Sequence, residues 1–197
     1  MLKIYIPAVS VAANVTGLLS NATGATWTLT ANDSGDSLAH LITIKGDAAT
    51  DHSAKTAVIT GTAPDGQAQT ETVNLPNGTA TVTSTKYFLT VTSVVPSATI
   101  GGDTMDIGWA AGSVSAQVNP KLSRVPSFNI GFGCSVESGT PTYTVQQTYD
   151  GITWYNHASV AAETTSQEGT YTSPVAGIRL MFAAAGGVTL TGYQVEG

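Results

Sequence analysis

Charge is what this chain has least of. Only 10% of its 197 residues are Asp, Glu, Lys or Arg, with seven basic residues against thirteen acidic ones and a formal net charge of −6. An average soluble protein carries about 25%. Apart from Lys121 and Arg124, the bases Lys3, Lys45, Lys55, Lys86 and Arg179 are scattered along the chain. Phosphate backbones demand clustered Lys and Arg, so no nucleic-acid partner is expected. One cysteine, Cys134, rules out an intramolecular disulfide framework and suits a reducing compartment. No run approaches the ~18 apolar residues of a membrane span, so no membrane partner is expected. The first nineteen residues are interrupted by Pro7 and Asn14, which argues against a cleaved signal peptide. Three histidines, His40, His52 and His157, leave little material for acid–base or metal chemistry.

What remains is rich in Thr, Val and Gly, with 42% hydrophobic residues. That is enough apolar surface to offset chain entropy, and β-branched residues favour strands over helices. Alternation of period two dominates, punctuated by turn dipeptides. Residues 55–62, 67–75 and 79–84 read as three strands of a meander, joined by Pro64-Asp65-Gly66 and Asn77-Gly78. Residues 104–110 close the first half. Beyond it, 142–149 and 152–156 form a hairpin across Asp150-Gly151, and 177–182 pairs with 188–195 across Gly186-Gly187. Residues 48–57 are the nearest approach to a helix, and their Thr-rich flanks weaken it.

The fold class expected is all-β: an antiparallel β-sandwich, jelly-roll or immunoglobulin-like, in two small domains. Pro120 and Pro126 interrupt the pattern. The division is therefore 1–115, a linker at 116–128, and a smaller domain at 129–197. Residues 87–95 are apolar on both faces, which marks Tyr87, Leu89 and Val91 as candidate subunit contacts. Leu2 and Ile4 lie on an alternating segment at 1–13. It reads first as the chain's own opening strand, and second as a strand added to another subunit's sheet edge.

Candidate chemistry is thin. His52 follows Asp47-Ala48-Ala49-Thr50-Asp51, but no second histidine stands at ligand spacing. Asp33-Ser34-Gly35-Asp36 and Asp103-Thr104-Met105-Asp106 lack the twelve-residue calcium-loop pattern and read better as turns. Gly131-Phe132-Gly133-Cys134-Ser135 is not a nucleophile elbow, and Cys134 reads as a small buried hydrophobe. No catalytic residue, cofactor or metal is assigned, and the chain is not expected to be an enzyme. Trp154 and Tyr155 point to opposite faces of a strand, so they cannot form one sugar platform. Trp154 is expected to be a core anchor and Tyr155 to lie on the surface.

Ile59-Thr60-Gly61-Thr62, Asp65-Gly66-Gln67-Ala68-Gln69-Thr70-Glu71-Thr72-Val73 and Thr85-Lys86-Tyr87-Phe88-Leu89-Thr90-Val91-Thr92-Ser93 resemble the small β-sandwich domains of tailed-bacteriophage virion proteins. Tyr149-Asp150-Gly151-Ile152-Thr153-Trp154-Tyr155-Asn156-His157, with Gly169-Thr170-Tyr171 and Ile178-Arg179-Leu180, is similar to a segment of small structural proteins of phage heads. The resemblance covers about two thirds of the chain and excludes its first fifty residues. It implies a virion structural protein assembled in the host bacterial cytoplasm, a capsid decoration or cement protein bound to the major capsid protein or other virion proteins. Abundant three-fold positions on capsids imply a homo-oligomer, a trimer in the simplest case. The alternative is a carbohydrate-binding or adhesin-like module with a tail-fibre or host-attachment role.

Overall fold

The computed structural model describes residues 2–121 and 128–194. In chain order the strands are β1 (Leu2–Ser10), β2 (Asn14–Ala22), β3 (Ala39–Gly46), β4 (Thr56–Thr62), β5 (Ala68–Asn74), β6 (Thr81–Phe88), β7 (Thr90–Pro96), β8 (Met105–Val114), β9 (Ile130–Thr148), β10 (Trp154–Asn156), β11 (Gln167–Tyr171) and β12 (Gly177–Gln194). The described residues contain no helix, and residues 48–55 are turns and irregular backbone. The pairings described below are antiparallel, and the protein is all-β, of the β-sandwich class.

Contacts divide the chain into a terminal unit, Met1–Val11 with Val114–Gly197, and a central unit, Ala12–Ser113. The expected 1–115 and 129–197 domains differ from this at the N-terminus. β1 pairs along its whole length with β12, from Leu2 opposite Gln194 to Ser10 opposite Gly186, and so joins the C-terminal part of the chain. Residues 122–127 of the expected linker lie outside the described residues.

In the terminal unit the long strands β9 and β12 pair from Ile130–Gln194 to Thr148–Gly177. The hairpin expected across Gly186-Gly187 is instead one continuous strand. The two glycines serve a crossing, not a turn: a Cβ on Gly186 would sit 2.7 Å from Pro141 Cδ, and one on Gly187 2.6 Å from Ser138 Oγ. Gly186 also has φ +150°, and the register shifts around both residues. The other edge of β9 is covered in three pieces, by β11 along 130–134, by Val160 and Glu163 along 143–145, and by β10 along 146–148. Ile4, Phe132, Tyr143, Leu180, Phe182 and Leu190 fill the core.

The central unit holds the sheet β8-β3-β6, with β2 on β8, and the three-stranded sheet β5-β4-β7. The expected 55–84 meander is therefore broken. β4 and β5 form their hairpin, but β6 pairs with β3, and its ties to β5 run through side chains: the Glu71 carboxylate accepts from the Thr85 and Lys86 amides, the Lys86 ammonium donates to the Thr70 carbonyl and the Gln69 side chain to the Tyr87 carbonyl. The expected 87–95 strand also breaks, because the chain bends at Leu89 and passes from one sheet to the other. Thr92 is an extra residue, since Ser93 pairs with Thr60 and Val91 with Gly61. These two irregularities turn Phe88, Val91 and Val94 all inward. Of the apparent second apolar face of 87–95, Val91 thus belongs to the chain's own core, Tyr87 and Leu89 are half-buried, and Val95 is exposed.

Candidate functional site

Of the five residues marked as candidate contacts, Ile4 and Val91 are buried in the chain's own core, while Leu2, Tyr87 and Leu89 are half-buried. Leu2 and Ile4 belong to the terminal unit and the other three to the central unit. The titratable groups are committed to structure in the same way. Asp33 accepts from the Gly35 amide, Asp36 from the Ser34 hydroxyl and the Leu38 amide, and Asp106 from the Asn21 amide. His52 reaches across 51 residues to the Asp103 carboxylate at 2.9 Å, and Lys55 lies 3.1 Å from its other ring nitrogen. Hydrogen bonds from Thr50 and His52 hold Asp103 below the usual carboxylate range. Cys134 is buried, and burial pushes its thiol up to about 12, so it is inert as a nucleophile at neutral pH. Among the described residues, no three His, Cys, Asp or Glu side chains form a metal-binding group.

Two surfaces of the terminal unit stand out instead. The first is the β9–β10 turn. Ile152 at its tip is 84% exposed, and Tyr149 and Tyr155 flank it, each more than half exposed, with ring centroids 5.9 Å apart. Asp150 makes this turn rigid. Its carboxylate accepts from the Thr153 amide at 2.7 Å, the Ile152 amide at 2.8 Å, the Thr153 hydroxyl at 2.9 Å and the Thr148 hydroxyl at 3.0 Å. Gly151 supplies the φ of +77° that the turn requires. Trp154, expected in the core, is only half-buried, and the Arg179 guanidinium lies over its ring, 3.9 Å from the centroid.

Those hydrogen bonds, the two backbone amides first, hold the Asp150 carboxyl well below its ordinary 3.8. A carboxyl depressed in the folded state adds stability that is complete above pH 3.8 and is lost as pH falls through the lower folded value. We therefore expect the Asp150 carboxyl resonance to titrate with a midpoint clearly below 3.8. A midpoint at or above that value would show the turn to be loosely held.

The second surface is the outward face of the strands β1-β12-β9-β11. Cross-strand neighbours form two rows here, Lys3–Tyr193–Gly131–Thr170 and Tyr5–Thr191–Gly133–Glu168. Alternation explains the division, since Ile130, Phe132 and Cys134 point into the core and leave Gly131 and Gly133 outside. Neither glycine has a positive φ, and a Cβ on Gly131 would meet nothing within 4 Å, one on Gly133 only the Gln167 carbonyl at 3.9 Å. Gly169 differs, because a Cβ there would strike Phe132 and His157. A mid-strand glycine costs roughly 0.5–1 kcal/mol relative to alanine. Nothing among the described residues requires that cost at 131 and 133, and such positions often mark the close approach of a ligand or another backbone. They floor an open depression of about 640 Å³ walled by Tyr193, Thr191, Glu168 and Thr170.

In the sequence, Gly131-Phe132-Gly133-Cys134-Ser135 reads as no nucleophile elbow and Cys134 as a small buried hydrophobe, and neither reading points to the depression. The signal that finds the depression is the glycine alternating with inward apolar residues. No known protein family matches the chain, and no curated protein matches it. Among solved structures it is similar to an allantoicase from Saccharomyces cerevisiae, at 12% identity over 79% of this chain and 74% of that chain, with a TM-score of 0.26. That is too distant a likeness to transfer any function.

Proposed function

We propose that this chain is a non-enzymatic structural protein of tailed-bacteriophage virions, a capsid decoration or cement protein that binds and stabilises the head shell. It assembles in the host bacterial cytoplasm and works as a symmetric homo-oligomer against the major capsid protein or another virion protein. One observation carries the reading: the apolar tip Tyr149, Ile152 and Tyr155 is presented on a turn that Asp150 has already ordered. Association costs side-chain and loop ordering, and a tip fixed before the encounter avoids much of it. The low charge of the chain keeps desolvation modest, and repeated copies on a shell multiply weak contacts. The same tip lies within the stretch that is similar to phage-head proteins.

Co-sedimentation with capsids lacking the protein tests this. Wild-type chain is expected in the pellet, and Ile152→Asp to weaken binding by roughly thirtyfold, the size of a 2 kcal/mol anchor. Thermal melting should not change, because Ile152 packs against almost nothing. A wild-type chain that stays in the supernatant removes the reading. The carbohydrate-binding alternative is favoured by the exposed Tyr193 ring beside the hydroxyl groups of Thr170 and Thr191. A glycan array separates the two.

A further inference from the structure

The outward face of β1-β12-β9-β11 is complementary to itself. Its β1–β12 side carries projections, Tyr5 and Tyr193, with the Lys3 ammonium 4.6 Å from the Tyr5 ring centroid. Its β9–β11 side carries the side-chain-free floor at Gly131 and Gly133, with the Glu168 carboxylate beside it. An aromatic ring often covers a cross-strand glycine in its own sheet. Tyr193 does not: it is the cross-strand partner of Gly131, yet no atom of the described residues lies within 4 Å of where a Gly131 Cβ would be, and Tyr193 remains 44% exposed.

We propose that this face binds a second copy of the chain in a two-fold pair, Tyr193 of each copy seating on Gly131 of the other. A two-fold axis running along the strands between β12 and β9 exchanges β12 with β9 and β1 with β11. The exchange sets Tyr193 opposite Gly131, Thr191 opposite Gly133, and Lys3 with Tyr5 opposite Thr170 with Glu168. Projection meets floor and base meets acid twice, as an isologous contact requires. The charge pattern selects this occupant: an anionic partner meets Glu168, and a basic one meets Lys3. A second copy offers each charge its opposite.

The contact is small. Four strands about 4.8 Å apart, over the stretch from Leu2 to Ile6 that β11 matches, at about 3.4 Å per residue cover a few hundred Å². A standard interface buries about 800 Å² per partner. Pairing alone is therefore weak, in the range from about ten micromolar to a millimolar, and gains weight where copies are already held close. The inference does not depend on shell binding, since the Ile152 tip lies elsewhere, and a two-fold contact yields pairs, so any three-fold contact uses another surface.

Sedimentation equilibrium of the full chain up to about 1 mM is the test. Wild type is expected to show a monomer–dimer equilibrium that weakens with salt. Lys3→Glu and Glu168→Lys should each weaken it about tenfold or more, since like charges then face each other twice. Mixing the two single variants should restore wild-type pairing, because the mixed pair again matches both contacts. Gly131→Phe should abolish pairing with an unchanged melting curve, its ring entering open space in the monomer. A strict monomer at every concentration overturns the proposal, as does a dimer that none of these changes affects. Saccharide binding that shifts Tyr193 resonances without self-association overturns it and assigns the depression to a sugar.

Discussion

Tyr143→Ala is expected to destabilise the terminal unit by about 3–5 kcal/mol, the range for large aromatic side chains removed from a core. Tyr143 is 0% exposed and is the largest fully buried side chain among the described residues. It lies where β9 is covered on both faces, residues 143–146 all being buried. Its hydroxyl donates to the Thr165 carbonyl at 2.8 Å, and its backbone exchanges hydrogen bonds with Glu163. Truncation therefore opens a cavity and loosens the 158–166 segment against β9. Tyr143→Phe isolates the polar part and should cost about 0.5–1.5 kcal/mol, the net worth of one hydrogen bond. Urea unfolding followed by the fluorescence of Trp154, the terminal unit's tryptophan, measures both. Trp154→Ala, followed by circular dichroism, should cost less than Tyr143→Ala, because Trp154 is half-buried under Arg179. The reverse order would mean that the anchor of this unit has been misplaced.

The contrast between those two aromatics shows what alternation can convey. Local signals survived well. The strand expected at 55–62 is β4 (Thr56–Thr62), that at 67–75 is β5 (Ala68–Asn74), and the Gly66, Gly78 and Gly151 turns all have positive φ. Each of these depends on a few consecutive residues. Pairing does not, because a period of two states which way a side chain points and leaves the partner strand open. Hence β6 was matched to β5 when it pairs with β3, and β1 was placed in the first domain when its partner is β12. Gly186-Gly187 was ambiguous for a related reason. A glycine pair serves equally for a two-residue turn or for the close crossing of two long strands, and only the position of Pro141 and Ser138 decides.

The candidate surfaces divide along the same line. Asp150-Gly151 declared its turn, and Tyr155 its exposure, from neighbouring residues alone. The depression was not legible, because it requires knowing that Tyr193 and Gly131 are cross-strand partners 62 positions apart and that the ring leaves the glycine bare. The inward turn of Val91 was not legible either, because Leu89 bends the chain and Thr92 adds a residue. Either event alone flips the faces, and neither has a sequence signature among Thr, Ser and Val.

Asp36→Ala is expected to cost the central unit about 3–5 kcal/mol, because it removes a buried carboxylate together with several hydrogen bonds to it, each worth about 1.5–3 kcal/mol to a charged acceptor. The Asp36 and His40 side chains are 3% and 2% exposed, and the carboxylate lies 2.9 Å from His40 Nε2. Nδ1 of the same ring lies 3.2 Å from the Ala110 carbonyl on β8, so His40 joins β3 to its neighbour as well as to the preceding loop. The other carboxylate oxygen accepts from the Ser34 hydroxyl at 2.6 Å and the Leu38 amide at 3.0 Å. Removing Asp36 takes all of these away at once and leaves an imidazole nitrogen without its carboxylate in the interior, where an unmet polar group is expensive. The exposed pair of Lys45 and Asp47, 3.0 Å apart, is the control, and Lys45→Ala should leave the transition where it was. Trp109 lies 6.2 Å from His40, centroid to centroid, so its fluorescence follows this site directly. Because Asp36 and His40 act through each other, the double change Asp36→Ala with His40→Ala should cost clearly less than the sum of the single ones. Additive costs, or an Asp36→Ala protein within about 1 kcal/mol of wild type, would mean that the loop at 33–38 holds its place through its apolar contacts, Leu38 above all, and not through the carboxylate.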